Sequence, residues 1–244
     1  MSWITKQNIL IVGLGLMGGS YAKGLKRIGF HLMAIDKSEE SIQFALENKI
    51  IDEGSAEADP EIIGKADVIV FALYPHVFAD WVKKNQKYFK AGIKITDVTG
   101  VKSNVVYEIQ DILRDDVEFI AAHPMAGREV YGVQNSDERM FYNANYIVTP
   151  TEKNTNDAIE WCKDLGRLLG FKNISVLTPK DIFIGEMAFL LNDRRSATIM
   201  SAGEGQLIRI PKVSFLNLIR KNPHYGIFLS KLLAQRVTNQ NRKT

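Results

Sequence analysis

Cysteine is nearly absent. Cys162 stands alone in 244 residues, which leaves no disulfide framework and suits a reducing compartment. Long apolar runs are missing as well. None approaches the roughly 20 residues that a bilayer-spanning helix needs, so no membrane partner is expected. The opening MSWITKQ lacks a signal-peptide layout, and the cytoplasm is the expected location. His, Cys, Asp and Glu nowhere fall at metal-ligand spacing, so no metal is expected. There is no internal repeat, no low-complexity segment and no finger or ribonucleoprotein motif. An excess of one charge is also lacking, with 31 Lys and Arg against 28 Asp and Glu. The distribution is uneven, however. From Pro179 onward 11 basic residues face 4 acidic ones, and before it 20 face 24. A basic end can serve nucleic acid, but no other feature supports that use, and no nucleic-acid partner is expected.

What the chain does have is a glycine-punctuated stretch near its start, NILIVGLGLMGGS from Asn8 to Ser20. An apolar run, Ile9–Val12, stops at Gly13-Leu14-Gly15-Leu16-Met17-Gly18, and helical spacing then runs from about Met17 to Ile28. Strand, tight turn and helix in that order form a dinucleotide cradle. Gly13 allows the sharp exit, Gly15 lets the backbone approach a pyrophosphate, and Gly18 lets the helix pack closely on the strand. The N–H groups opening the helix, aided by its dipole, hold the negative charge. A second apolar run, His31–Ile35, ends in Asp36, 23 residues after Gly13. An acid there accepts hydrogen bonds from ribose hydroxyls and repels a 2′-phosphate, which predicts NAD rather than NADP.

The remaining pattern alternates strands with helices. Ser38 is placed to cap a helix carrying Ile42, Ala45 and Leu46, and Ile50-Ile51 reads as a short strand. A short helix opens at Pro60. The run Asp67–Leu73 reads as a strand covered on both faces, and an aromatic-rich helix follows from Tyr74 to about Phe89. Lys94–Asp97 is a strand, Val101–Leu113 a helix and Glu118–Ala122 a strand. Tyr146–Thr149 and Lys172–Leu177 flank a helix from about Asn154 to Leu169 and extend the same sheet. The expectation is a Rossmann-type, doubly wound, mainly parallel α/β sheet over residues 1–178, followed by a short helical region over 179–244. Ligands of such sheets lie beyond the carboxyl ends of the strands. This singles out the loops Gly13–Gly18, Leu73–His76, Asp97–Lys102 and His123–Glu129.

The last of these loops carries the phrase Ala121-Ala122-His123-Pro124-Met125-Ala126-Gly127-Arg128-Glu129. A histidine at a strand end on the ligand side can take a proton or a hydrogen bond near neutral pH. Gly127 leaves room for a bound molecule. HPMAGRE, on a chain that begins GLGLMGGS and carries TDVTGVKS from Thr96 to Ser103, resembles the prephenate dehydrogenase family, with its arogenate dehydrogenase relatives in tyrosine biosynthesis. The likeness covers residues 7 to 180. It implies NAD-dependent oxidative decarboxylation of prephenate or arogenate, with His123 bonding the ring hydroxyl. It also implies a homodimer. Leu73 and Thr99 fall beside the expected cofactor. Many relatives carry a ligand-contacting serine where this chain has Gly100, and Thr99 is the nearby hydroxyl that could replace it. Lys102 is either an anion contact or a solvated first-turn lysine. Glu129 either closes the entrance, as the family's acid does, or is a surface glutamate.

After the boundary the likeness fades. Asp181 to Ala188 resembles the first helix of the family's second domain, but Leu191-Asn192 stands where relatives carry a Pro-His pair. Arg194, Arg195, Arg209 and Arg220 are the candidates for a substrate-carboxylate contact. This region is expected to be shortened or altered, a frameshift being one origin. Two other readings stand beside the first. Another β-hydroxyacid dehydrogenase would share the glycine loop but lack HPMAG, and a nucleotide-binding remnant would bind NAD without turnover.

Overall fold

The structure, a computed structural model, describes residues 3, 6–100, 105–128, 130–177, 211–226 and 230. The chain divides into two compact units, Met1–Asp181 and Ile182–Thr244.

The first unit is built on one eight-stranded sheet in the order β3-β2-β1-β4-β5-β6-β7-β8. Its strands are β1 (Asn8–Val12), β2 (His31–Ile35), β3 (Glu53–Ser55), β4 (Val68–Phe71), β5 (Lys94–Asp97), β6 (Glu118–Met125), β7 (Asn145–Thr149) and β8 (Asn173–Val176). The helices are α1 (Leu16–Ile28), α2 (Glu39–Glu47), α3 (Pro60–Lys65), α4 (Pro75–Asn85), α5 (Val105–Ile112) and α6 (Asn156–Leu168). All pairs from β3 to β6 are parallel, β6 and β7 are antiparallel, and β7 and β8 are parallel. This is the expected α/β architecture, mainly parallel and Rossmann-like.

Strand β4, and β1 from Ile9 onward, are apolar at every position because both faces are covered. Ile9 and Ile11 of β1 enter one core with Tyr21 and Leu25 of α1 and Trp161 and Leu165 of α6. Leu10 and Val12 enter the other, with Ile62 and Ile63 of α3, Phe78 and Val82 of α4 and Ile109 of α5. Period-two alternation thus sends one strand into two cores. On the first face an aromatic chain runs from Tyr21 to Phe141, Phe171 and Tyr146, with centroids 5.2, 4.8 and 4.9 Å apart. The Tyr146 hydroxyl lies 3.6 Å from the Cys162 sulfur, and the Thr96 hydroxyl 3.8 Å from it. Trp3 stacks on Trp161 at 5.0 Å, and its indole N–H donates to the Trp161 carbonyl at 2.8 Å.

Ile50-Ile51 is not a strand. The Ile50 N–H, at 2.8 Å, and the Ile51 N–H, at 3.4 Å, both point at the Ala45 carbonyl. The pair therefore closes the end of α2 and buries its side chains under it, and the edge strand begins at Glu53. The long helix expected to Phe89 ends at Asn85 and continues as one 3₁₀ turn, Gln86–Tyr88.

In the second unit the described helix is α7 (Lys212–Lys221). It starts after Pro211, a residue that suits a helix entrance, and Arg220 and Lys221 in its last turn complement the helix dipole. The stretch Asp181 to Ala188, Leu191-Asn192, Arg194, Arg195 and Arg209 lie outside the described residues.

Candidate functional site

The carboxyl ends of β2, β1, β4, β5 and β6, neighbours in the sheet, carry Asp36, Gly13, Leu73, Thr99 and His123 respectively. The topology therefore gathers on one edge what the chain spreads over more than a hundred residues.

The cradle begins at Gly13, whose N–H donates to the Ile35 carbonyl at 2.8 Å. Its φ is +98°, and a Cβ there would lie 2.6 Å from the Ala72 carbonyl oxygen and 3.2 Å from Leu73 Cδ2. Only glycine suits this conformation and this crowding. At Gly18 a Cβ would fall 1.8 Å from the Gly13 oxygen, so helix and turn touch through bare backbone. Gly15 is different. Its φ is −75°, and nothing lies within 4 Å of a Cβ built on it. Neither strain nor packing demands glycine there, which leaves the open side of the loop as its reason.

Gly15 is also the N-cap of α1, with no side chain to satisfy the first-turn N–H groups, and that turn contains no acidic residue. Leu16 and Met17, half-buried, open the helix. A helix start without cap or acid, rimmed by an open glycine, is suited to an anion. Leu14, by contrast, is buried and fastens the loop from within.

Asp36 has a second task that spacing alone did not reveal. One carboxylate oxygen accepts from the Leu14 N–H at 2.6 Å, and the other from the Ser38 N–H at 2.8 Å. Ser38 in turn caps α2 by accepting from the Ser41 N–H at 3.1 Å. The acid therefore braces the glycine loop and the next helix entrance, and each oxygen keeps a lone pair for an outside donor.

On the other side of the edge, Thr99 is buried and both its N–H and its hydroxyl donate to one oxygen of Asp97. His123 is half-buried on β6, opposite Ile147 of β7. Gly100 lies against its imidazole, since a Cβ at that position would be 3.2 Å from His123 Cε1. Gly127 is exposed, with nothing within 4 Å of a Cβ. Lys102 and Glu129 lie outside the described residues. His76 opens α4 and stacks on the exposed Tyr74 at 6.0 Å. Sequence reading missed Asp97 as an organising group. It marked Asp97 only as the end of a strand, and the Ala122 N–H that ties it to β6 lies 25 residues away in the chain.

Beyond this edge, the connection from β6 to β7 is fastened to α1. Lys23 Nζ donates to the Ser136 carbonyl at 2.6 Å, and the Ser20 hydroxyl accepts from the Asp137 N–H at 2.9 Å. Asp137 is held down to about 2 by its hydrogen bond to Arg139, aided by Arg128. Among the described residues no group of three His, Cys, Asp or Glu could hold a metal ion, and no helix is long and apolar enough to cross a membrane.

A mainly parallel sheet with a glycine turn, an uncapped helix start and an acid at the second strand's end defines a nucleotide-binding domain of the Rossmann type. A family model described as the nucleotide-binding domain of prephenate dehydrogenase matches residues 21–175. The chain belongs to the prephenate dehydrogenase family. Prephenate dehydrogenase from Bacillus subtilis (strain 168) is 33% identical over 162 residues, covering 66% of this chain and 44% of that protein. The Lactococcus lactis enzyme of the same name is 30% identical over 161 residues, 63% of this chain and again 44% of the relative. The chain thus spans less than half the length of these curated relatives. Among solved structures, prephenate dehydrogenase from A. aeolicus, in complex with hydroxyphenyl propionate and NAD+, superposes with a TM-score of 0.67 at 30% identity. That match covers 72% of this chain and 62% of the other. Arogenate dehydrogenase from Synechocystis gives a TM-score of 0.66 at 27% identity, covering 75% and 63%. A second family model, of cyclic nucleotide-binding domains, matches residues 170–222, which fall mostly outside the described residues.

Proposed function

We propose that this chain binds NAD at the Gly13–Gly18 cradle and oxidatively decarboxylates prephenate or arogenate beside His123. The observation that carries the reading is the shared edge. A cradle fitted to a dinucleotide and a half-buried histidine stand at the carboxyl ends of strands in one parallel sheet, in a chain of this family. The fit to NAD rests on the open Gly15, the uncapped start of α1 and the free lone pairs of Asp36. When bound, NAD supplies the hydride acceptor. The chain's own part is to orient the ring and manage one proton. The α1 N–H groups hold the pyrophosphate, and Asp36 accepts from the adenine-side ribose. His123 accepts the hydrogen bond of the ring hydroxyl. As the carbinol carbon loses hydride and becomes carbonyl-like, the hydroxyl proton moves onto the imidazole. The carbon–carboxylate bond then breaks, its electron pair completes the aromatic ring, and His123 returns the proton to the phenol oxygen. One carbon dioxide is released with no net proton. Residues 1–178 make up the cofactor side in this reading, and residues 179–244 belong to the substrate side.

The test follows NADH absorbance while the purified chain receives NAD with prephenate, and then NAD with arogenate. Turnover with either supports the reading and selects the substrate. NAD binding without turnover would reduce the chain to a nucleotide-binding protein. His123→Asn should leave NAD affinity intact and lower turnover by about 10²-fold or more. Equal turnover in that variant would remove His123 from the chemistry.

A further inference from the structure

Where β5 and β6 part, a carboxylate takes over from the backbone. The two strands pair in parallel only as far as Thr96 and Ile120. Beyond that point the β5 chain keeps its pairing with β4 alone, and the Val98 N–H donates to the Phe71 carbonyl at 3.0 Å. The Ala122 N–H would then lose its ladder partner in the interior, a costly omission. Instead it donates to Oδ1 of Asp97 at 3.1 Å. The other oxygen, Oδ2, accepts from the Thr99 N–H at 3.2 Å and from the Thr99 hydroxyl. Asp97 is 1% exposed. A polar side chain in so dry a place is tolerated only with hydrogen-bonding donors around it. These donors come from two places that matter. Ala122 immediately precedes His123, and Thr99 immediately precedes Gly100, which lies against the imidazole.

We infer that Asp97 is the positioning residue of this site. Its carboxylate bridges the β5–α5 turn and β6, so that Gly100 and His123 keep a fixed separation. This rests on the reading of His123 given above as far as turnover is concerned, but the mechanical link is independent of it. Asn is the telling replacement. It keeps the shape and turns one acceptor into an NH2 donor facing donors. Only one of the two arms can then survive.

The experiment labels histidine at Cε1 and records its carbon–proton resonances in the full chain. Four histidines give four signals, and His123→Asn identifies the one from His123. In Asp97→Asn the His123 signal should move while those of His31, His76 and His224 stay, with the thermal transition still cooperative. An unmoved His123 signal in the folded variant overturns the proposal. If Asp97→Asn does not fold, Thr99→Val keeps the branched shape and removes the hydroxyl arm. The same signal should then move, and its constancy would again overturn the proposal. Neither readout needs turnover. With turnover, Asp97→Asn should lower kcat by about 10²-fold, the scale of a small misplacement, and change KM and NAD affinity much less. A loss confined to KM would also count against it. If His123→Asn leaves hydride transfer intact, the proposed function falls, and the resonances still judge the Asp97 link.

Discussion

Three glycines of one turn are present for three different reasons, and substitution should separate them. Gly18→Ala drives a methyl into the Gly13 carbonyl, 1.8 Å away, and neither backbone can yield easily. The loss of stability should be on the order of 1–3 kcal/mol or more, read from denaturant unfolding. Gly13→Ala meets both a positive φ and the Ala72 carbonyl, and should fall in the same class. Gly15→Ala should unfold like the native chain, within about 0.5 kcal/mol, as an unobstructed surface change does. Its loss should appear only in NAD titration, where the new methyl occupies the pyrophosphate's approach. A Gly15→Ala variant that binds NAD normally would put the cofactor elsewhere. Gly100 allows a parallel test. An alanine there brings a methyl to 3.2 Å from the His123 ring, so turnover should fall while stability changes little.

Among the elements, the join between β2 and α2 is where binding and stability meet. Asp36→Ala removes acceptors from both Leu14 and Ser38. It should weaken NAD binding and also lower the melting temperature, whereas Ser38→Ala should cost about 1 kcal/mol, the usual value of an N-cap, with cofactor affinity largely kept. If Asp36→Ala melts like the native chain, the bracing role is wrong. These same elements mark what a reader of the sequence can and cannot see. The glycine turn, the acid after β2 and the alternation of strands and helices are local patterns, each written within a few residues. Strand direction is not. Nothing in the composition of β7 says that it runs against β6, because an edge-side apolar run pairs either way. Ile50-Ile51 misleads because burial, which periodicity reports, was supplied by a helix end rather than by a ladder. Asp97 is hidden for a similar reason. One of its partners lies 25 residues away, and only the divergence of two strands gives the carboxylate its work.

For the first unit as a body, acid and alkali should act on different parts. Burial pushes the hydroxyls of Tyr21 and Tyr146 well above the ordinary tyrosine range, with the Cys162 sulfur adding to the rise. The unfolded chain ionises these tyrosines near pH 10, and the folded chain does not. Their contribution is thus fully present below pH 10 and lost progressively above it. Tyrosinate absorbance should show two of the eight tyrosines deferred until the fold is lost. Asp137 works in the opposite sense. Its folded value of about 2 lies below the ordinary aspartate value, so its contribution stands above pH 4 and fades as the pH falls toward 2. Arg139→Ala should return it toward the usual range, measured by carboxyl NMR titration. Binding at the cradle should reinforce the whole unit, with NAD at a hundred times its dissociation constant adding about 2.7 kcal/mol. A melting temperature indifferent to NAD would deny the site.

The stacked pair of Trp3 and Trp161 links positions 158 residues apart. A ribosome makes the first of them long before the second, so Trp3 has to wait until most of this unit has been synthesised. Parallel indoles at this spacing couple optically, and their far-ultraviolet couplet should arise in refolding only with the slowest phase, after helix signals have recovered. Because long loops close late, this pair serves as a clock hand for completion. Trp3→Phe should erase the couplet while leaving the earlier phases unchanged.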